Sequence, residues 1–243
     1  SNWRFNYTYR NPNDPELGYS AYNIPHRIQA SAYYHINYGA QKQWQTTVGL
    51  IYQAKSGSPY SIYYYGDVNE DGANGNDLFF IPTDAQIDKM QFEETNFSAN
   101  ALTKAVFGDN FTAPKLTADM QRAMMKHWIG NDSYMKNHRG EYYKRYADNL
   151  AFEHHFDVHF AQKYSFKVGG QINSLELSFD IINAGNMLNK NWGHTYGDGF
   201  GVYYSPVNYQ RNGRYQFTGG YATRNYSDYY SRWRGQLGLR YTF

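Results

Sequence analysis

Five side chains with oxygen donors lie close together between residues 67 and 77 of this chain. An Asp-x-Asn-x-Asp-Gly pattern begins at Asp67, with the spacing that opens a calcium loop of the EF-hand type. Oxygen donors at alternate positions, followed by glycine, allow the backbone to wrap around a hard cation. The position of the usual bidentate glutamate holds Leu78, so the alternative is a polar turn whose side chains bond to their own backbone. The candidate calcium ligands are Asp67, Asn69, Asp71, Asn76 and Asp77.

A second polar group, His155, Asp157 and His159, alternates along a predicted strand. Imidazole and carboxylate groups bind zinc, but residues two apart on a strand are separated by roughly 6.6–7 Å and chelate one ion poorly. We therefore interpret these residues as part of a hydrogen-bonded polar wall. The chain contains no cysteine, which excludes thiolate chemistry and disulfides. It also shows no nucleophile elbow, HExxH motif or phosphate loop, and we expect no enzyme activity.

The segments that would position these groups alternate between polar and apolar residues with a period of two, which is typical of β-strands with two different faces. The clearest case is residues 231–243, which end in an aromatic residue. A barrel that crosses a membrane needs such a closing strand, with apolar residues toward lipid and polar residues toward the lumen. We assign five large residues to the outer face of this strand: Trp233, Leu237, Leu239, Tyr241 and Phe243.

Other alternating segments indicate that this architecture extends through the chain, and together with the closing strand they predict about eight strands. The chain has 27 Tyr and 15 Phe, yet no long apolar run, which excludes membrane-spanning helices. Its mean hydropathy of -0.80 is compatible with strands whose alternate residues face lipid. We predict an all-β, antiparallel transmembrane barrel, and a net charge of +2 gives no argument for nucleic acid. The segments are residues 2–9, 26–38, 43–54, 59–65, 154–160, 175–181 and two strand ends within 198–228.

Two long regions interrupt the strands. In residues 66–150 a polar stretch precedes helix-like pieces, where Met120, Met124 and Trp128 follow a candidate N-cap at Thr117. We predict a long extracellular loop with short helices, in which these large residues pack against the protein. Residues 187–230 form a second long loop region, whose rings either bind a sugar or peptide or, as we favour, form the interfacial belt and pack the loops. These rings are Tyr196, Phe200, Tyr203, Tyr204, Tyr209, Tyr215, Tyr221, Tyr226, Tyr229 and Tyr230.

Several short motifs, taken in order, resemble the C-terminal barrel region of TonB-dependent outer-membrane transporters, above all the Bacteroidetes-type (Oar-like and SusC-like) receptors. The likeness covers most of the chain except residues 91–133. Each motif alone is moderately specific, and their order is more specific than any one of them. The motifs are PHRI (25–28), GSPYS (57–61), DVNEDG (67–72), GNDL (75–78), FDVHFAQK (156–163), FDIINAGNMLN (179–189) and LRYTF (239–243).

The resemblance implies a 22-stranded barrel around an N-terminal plug. Residues 1–243 would supply about eight C-terminal strands of this barrel domain, with the plug absent from this chain. It also implies TonB-driven uptake of a nutrient, such as an oligosaccharide or peptide, across the bacterial outer membrane. The implied partners are the other strands and plug of the same protein, the TonB complex, a surface lipoprotein, and the lipid bilayer with its lipopolysaccharide.

Two alternatives stay open at this stage. One is a self-contained barrel of about eight strands that acts as an adhesin or structural protein, since eight strands can close a small barrel. The other is an outer-membrane enzyme, which the missing nucleophile–base pair disfavours. Calcium is the one candidate cofactor.

Overall fold

The structure is a computed structural model that describes residues 6–9, 11–97, 99–196, 202–210, 212–219 and 226–243. The chain divides into two compact units, each assembled from three segments. The packed unit comprises Ser1–Asn23, Ser58–Leu150 and Gly199–Asn225, and the sheet unit comprises Ile24–Gly57, Ala151–Asp198 and Tyr226–Phe243.

Most of the regular structure is β-sheet, so the β-rich class predicted from the sequence is confirmed. No helix among the described residues is long and apolar enough to cross a membrane. The elements in chain order are β1 Arg27–Tyr38, β2 Trp44–Lys55, β3 Pro59–Tyr65, α1 Asp84–Lys89, β4 Thr95–Asn96, α2 Ala101–Phe107, β5 Lys115–Leu116, α3 Ala118–Asn131, a 3₁₀ turn at Met135–Asn137, β6 Asp148–Asn149, β7 Glu153–Val168, β8 Gln171–Ile182, α4 Ala184–Leu188, β9 Val202–Gln210, β10 Arg214–Phe217, α5 Asp228–Ser231 and β11 Arg234–Thr242.

The sheet unit is built on one five-stranded sheet in the order β1-β2-β7-β8-β11. Every neighbouring pair in it is antiparallel. The predicted turns at residues 39–41 and 169–170 are confirmed as the connections of the β1–β2 and β7–β8 hairpins. Gly39 has a φ of 93°, a conformation that costs glycine least. β1 and β11 are the two edges of this sheet in the described part of the chain.

The packed unit contains a four-stranded sheet in the order β10-β9-β3-β6 together with α1, α2 and α3. β3 and β9 run parallel, and almost every residue of β3 is buried. A core of aromatic and aliphatic side chains fills this unit, including Tyr60, Phe79, Met124, Ile129 and Phe217. The core has the composition expected for a unit that folds in water.

This arrangement changes the strand count predicted from the sequence. Residues 59–65 do form a strand, as do parts of 198–228, but these strands (β3, β9 and β10) lie in the packed unit and do not extend the sheet of the other unit. In the part of the chain that the structure describes, five strands rather than about eight share the two-faced sheet. Of the predicted strand at residues 2–9, residues 2–5 lie outside the described residues, and Thr8 forms a single bridge with Asp77.

The helix predicted after the candidate N-cap Thr117, which includes Trp128, is confirmed as α3. Thr117 is its N-cap, and the Thr117 hydroxyl accepts a hydrogen bond from the Met120 backbone N–H. Met124 is fully buried and Trp128 nearly so, which confirms that this face packs. α1 and α2 were not predicted from the sequence. Each begins with a capping box, and the one formed by Thr83 and Gln86 at the start of α1 has a recognisable sequence signature.

A buried glutamine of α3 ties three segments of the packed unit together. The Gln121 side-chain amide donates to the Glu93 and Leu116 carbonyls at 2.6 and 3.1 Å, and its oxygen accepts from the Phe217 N–H at 2.8 Å. Gln121 is fully buried, so the loss of these bonds would leave three backbone groups without a partner.

We expect Gln121→Met to lower the free energy of unfolding by roughly 2–5 kcal/mol, because methionine fills a similar volume but leaves those buried backbone groups unsatisfied. Urea unfolding of the full chain in detergent, followed by intrinsic fluorescence, measures this. Gln91→Met is the matched control, since the Gln91 side chain is exposed. Equal effects of the two substitutions would contradict the assignment.

Candidate functional site

The five-stranded sheet separates two kinds of side chain onto its two faces. Most of the large apolar residues of one strand stand opposite apolar residues of the next, as in Val48–Phe160, Phe160–Phe179 and Phe179–Leu237, although Leu177 stands opposite Gln162. The face that carries these residues is called the apolar face, and the other is called the polar face. The predicted opposition of Phe156, Val158 and Phe160 to His155, Asp157 and His159 is confirmed in the same way.

The apolar face is open to solvent across all five strands. The predicted outer residues of the closing strand lie on it, although Trp233 and Phe243 flank β11 rather than belong to it. Leu237 and Leu239 are 71% and 72% exposed. Soluble monomers rarely expose contiguous apolar patches of such extent, and such a face is typical of a surface that contacts another protein or a membrane. Other exposed members are Ile28, Tyr34, Ile36, Leu50, Phe156, Leu175 and Leu177.

Aromatic rings mark both ends of the apolar face. At the end with the short turns, the centroid of the Trp44 ring lies 4.5 Å from that of Tyr164, and a row continues through Phe166 to Tyr241, whose centroids are 6.5 Å apart. At the other end Tyr52 stacks on Phe156 at 4.6 Å. Between these ends lie aliphatic residues and phenylalanines, so the face has an apolar centre with amphipathic rings at its borders.

The polar face carries paired hydrogen-bonding groups. His159 Nδ1 lies 2.6 Å from Asp180 Oδ1 on the neighbouring strand, and His35 Nδ1 lies 2.9 Å from Thr47 Oγ1. Asp157 accepts a bond from the Asn183 backbone N–H at 2.8 Å. The three residues considered for zinc thus share a face but have separate partners. No group of three or more His, Cys, Asp or Glu side chains in the described residues is arranged to hold a metal ion.

One rim of this sheet is held by buried polar residues that the sequence analysis missed. Asn183 follows β8 in the left-handed conformation, with a φ of 56°, and its side-chain amide donates to the carbonyls of Gly193 and Ser231 at 2.9 and 2.7 Å. Glu153 accepts from the Tyr196 backbone N–H at 2.7 Å. These bonds fasten the loop after α4 and the segment before β11 to the strand ends. An asparagine directly after a strand is a signal for such a left-handed turn.

The five candidate calcium ligands come together in one loop of the packed unit. Asp67 accepts from the N–H groups of Asp71 and Gly72 at 3.1 and 3.0 Å, and Asp71 accepts from the Ala73 N–H at 2.8 Å. These bonds are those of the polar-turn alternative. Asn76 and Asp77 lie deeper, with 1% and 2% of their surfaces exposed. The motif therefore folds into one compact group.

The aromatic residues of the second long loop region have several surroundings. Tyr204, Tyr209 and Tyr215 contact other rings of the packed unit, such as Tyr60 and Tyr64. In the sheet unit, Tyr226 stacks on His194, while Tyr229 and Tyr230 are exposed. Ring packing within the loops thus accounts for most of those that are described. Phe200 and Tyr221 lie outside the described residues, as does the side chain of Tyr203.

Comparisons of this chain with protein-family models, with curated proteins and with solved structures find no match. The site is therefore interpreted from its own geometry and from the motifs of the sequence.

The buried position of Asn183 can be tested at two glycines with similar backbone angles. Gly193 has a φ of 64° and Gly169 a φ of 57°. A Cβ on Gly193 would lie 1.9 Å from Asn183 Oδ1, whereas nothing lies within 4 Å of one on Gly169. We expect both alanine variants to lose about 1–2 kcal/mol to left-handed strain, and Gly193→Ala to lose about 1–3 kcal/mol more by displacing the buried Asn183. Unfolding in detergent measures the difference, and equal losses would contradict the role of Asn183.

Proposed function

We propose that this chain is the C-terminal part of the membrane-spanning barrel of a TonB-dependent transporter. The transporter would import a nutrient, an oligosaccharide or a peptide, across the bacterial outer membrane. The observation that supports this most is the five-stranded sheet whose exposed apolar face is bordered by aromatic rings and whose opposite face is polar. Barrels that cross the outer membrane have this distribution of side chains.

The dimensions of the apolar face fit a bilayer. From Trp44 to Tyr52 the strand rises about 26 Å, at roughly 3.3 Å per residue. The lipid-facing band of such barrels is about 25 Å tall, and strands of 9–11 tilted residues cross it. The strands of the sheet are 9 to 16 residues long, so each is long enough to cross the hydrocarbon region.

The edges of the sheet favour a larger barrel. Within hydrocarbon every backbone N–H and C=O group needs a partner, so β1 and β11 each require a neighbouring strand. In the described residues the polar face is open rather than filled, and every residue of β1 is exposed. A small closed barrel would fill its interior with side chains. We therefore propose that further strands complete a wide barrel, with the polar face lining its lumen.

The transport activity rests on the resemblance of the motifs. They supply the expectation of a plug, of coupling to TonB and of a surface lipoprotein, and the open lumen face suits passage of a polar nutrient. An adhesin or structural barrel would share the apolar face, so it is the principal competing function. An outer-membrane enzyme would need a nucleophile beside a general base, and the sequence contains no recognisable motif for such a pair.

Two neighbouring residues of β11 test the membrane assignment. We expect Leu237→Arg to destabilise the protein in lipid bilayers by about 2–4 kcal/mol, because Leu237 would face the middle of the bilayer. Gln236→Arg is the matched control, since Gln236 lies on the polar face opposite Asp180. Denaturant unfolding from liposomes measures both. If the two arginines cost the same, the apolar face does not contact lipid.

A second experiment separates the transporter from a self-contained barrel. We expect the native protein, isolated from outer membranes, to have an intact mass well above the 28.4 kDa of this chain and to carry a plug sequence. Dissipating the proton gradient is expected to abolish uptake of the nutrient that copurifies with it. A native mass near 28.4 kDa, with uptake insensitive to the gradient, would overturn the proposal.

A further inference from the structure

The loop between Gly66 and Leu78 is fixed at its base by backbone hydrogen bonds. The Gly75 N–H donates to the Gly66 carbonyl at 3.0 Å, which closes the loop. Thr8 and Tyr64 donate to the carbonyls of Asn76 and Asp77 at 3.0 and 2.8 Å. These hydrogen bonds fix the backbone of Asn76 and Asp77, the last two candidate ligands, and so help to hold their side chains in place.

Both of these side chains point into the loop. The Asn76 amide donates to Asp71 Oδ2 at 2.9 Å. Asp77 Oδ2 accepts from the backbone N–H groups of Val68 and Asn69 at 2.6 and 3.3 Å. The remaining oxygens, Oδ1 of Asn76 and Oδ1 of Asp77, are buried and have no hydrogen-bond partner among the residues that the structure describes. Buried acceptors without a donor are rare in folded proteins, and a bound ion is one of their explanations.

The negative charge of the loop is also uncompensated. None of the Lys, Arg and His side chains in the described residues forms an ion pair with Asp67, Asp71 or Asp77. The group therefore contains a buried carboxyl group, that of Asp77, with no ion-pair partner among the described residues, and a bound cation would supply one.

The hydrogen bonds of the polar turn do not compete with a cation. A carboxylate has about four lone-pair sites, so Asp67 and Asp71 can accept backbone N–H bonds and still donate electron pairs to an ion. Three carboxylates alone do not form a metal site in the described residues. The amide oxygens of Asn69 and Asn76 would complete the set.

The donor set selects the type of ion. All of the candidate donors are oxygen atoms, with no imidazole or thiolate among them, which disfavours zinc and copper. Calcium takes six to eight oxygens in flexible geometry, whereas magnesium requires a near-ideal octahedron and retains several waters. A mixture of carboxylates and amides from one irregular loop therefore suits calcium better than magnesium.

We propose that this loop binds one calcium ion through side-chain oxygens of five residues: Asp67, Asn69, Asp71, Asn76 and Asp77. The ion gives the buried Oδ1 atoms of Asn76 and Asp77 a partner and neutralises the carboxylates. Its role is to stabilise the packed unit. This inference is independent of the proposed transport function, because it would hold for any protein that contains the packed unit.

The test uses the full chain in detergent, stripped of metal with EDTA and then titrated with calcium chloride or magnesium chloride. We expect calcium to bind with a stoichiometry near one by calorimetry and to raise the unfolding temperature, and magnesium to have a smaller effect. Asp71→Asn and Asp77→Asn are each expected to weaken calcium binding by at least about tenfold, since changing even the hydrogen-bond partners of metal ligands costs 10–100-fold.

Asp109→Asn is the matched control, because Asp109 is exposed and lies outside the loop, and it is expected to respond to calcium as the parent chain does. Without calcium, Asp77→Asn should be at least as stable as the parent, since it removes a buried charge and keeps an acceptor oxygen. If Asp77→Asn does not fold, Asp71→Asn decides. No response of the parent chain to calcium, or an undiminished response of the Asp71 and Asp77 variants, would overturn the proposal and leave a polar turn.

Discussion

Backbone hydrogen bonds hold β1, β2, β7, β8 and β11 in a register that aligns their large apolar residues on one face. A shift of one residue between any two strands would move a whole set of side chains to the opposite face. The aromatic rows, the pairing of His159 with Asp180 and the rim around Asn183 all depend on this register. The short hairpin turns set the register of the β1–β2 and β7–β8 pairs locally, whereas the β2–β7 and β8–β11 pairs join segments that are distant in the chain.

The two units differ in how far they bury their apolar side chains. The packed unit covers its own core, with Phe79, Ile81 and Ile129 fully buried. The sheet unit is a single layer that leaves Leu239 and Phe243 exposed and depends on its surroundings to cover them. One chain thus combines a unit that buries its own apolar core with a sheet that leaves one apolar face exposed.

Alternation allowed the strands of the two-faced sheet to be predicted, because a strand between two different environments keeps a period of two. The same rule predicted the strand at residues 59–65 but not the sheet to which β3 belongs, because its pairing with the parallel strand β9 leaves no local signal in the sequence. Thr117 marked the start of α3, while the buried Gln121 within it gave no sequence signal. The Asp67 motif was visible from the sequence, but the orphaned oxygens of Asn76 and Asp77 required the fold.

The pairing of β3 with β9 has a consequence for the order of folding. Tyr60 pairs with Val202, so the packed unit joins segments far apart in the chain, whereas the β1–β2 hairpin needs only its own turn. Contacts between distant segments form slowly, because loop-closure entropy is lost before they contribute. During synthesis the chain must therefore carry a half-formed packed unit, with β3 lacking its parallel neighbour, until residues beyond 200 emerge.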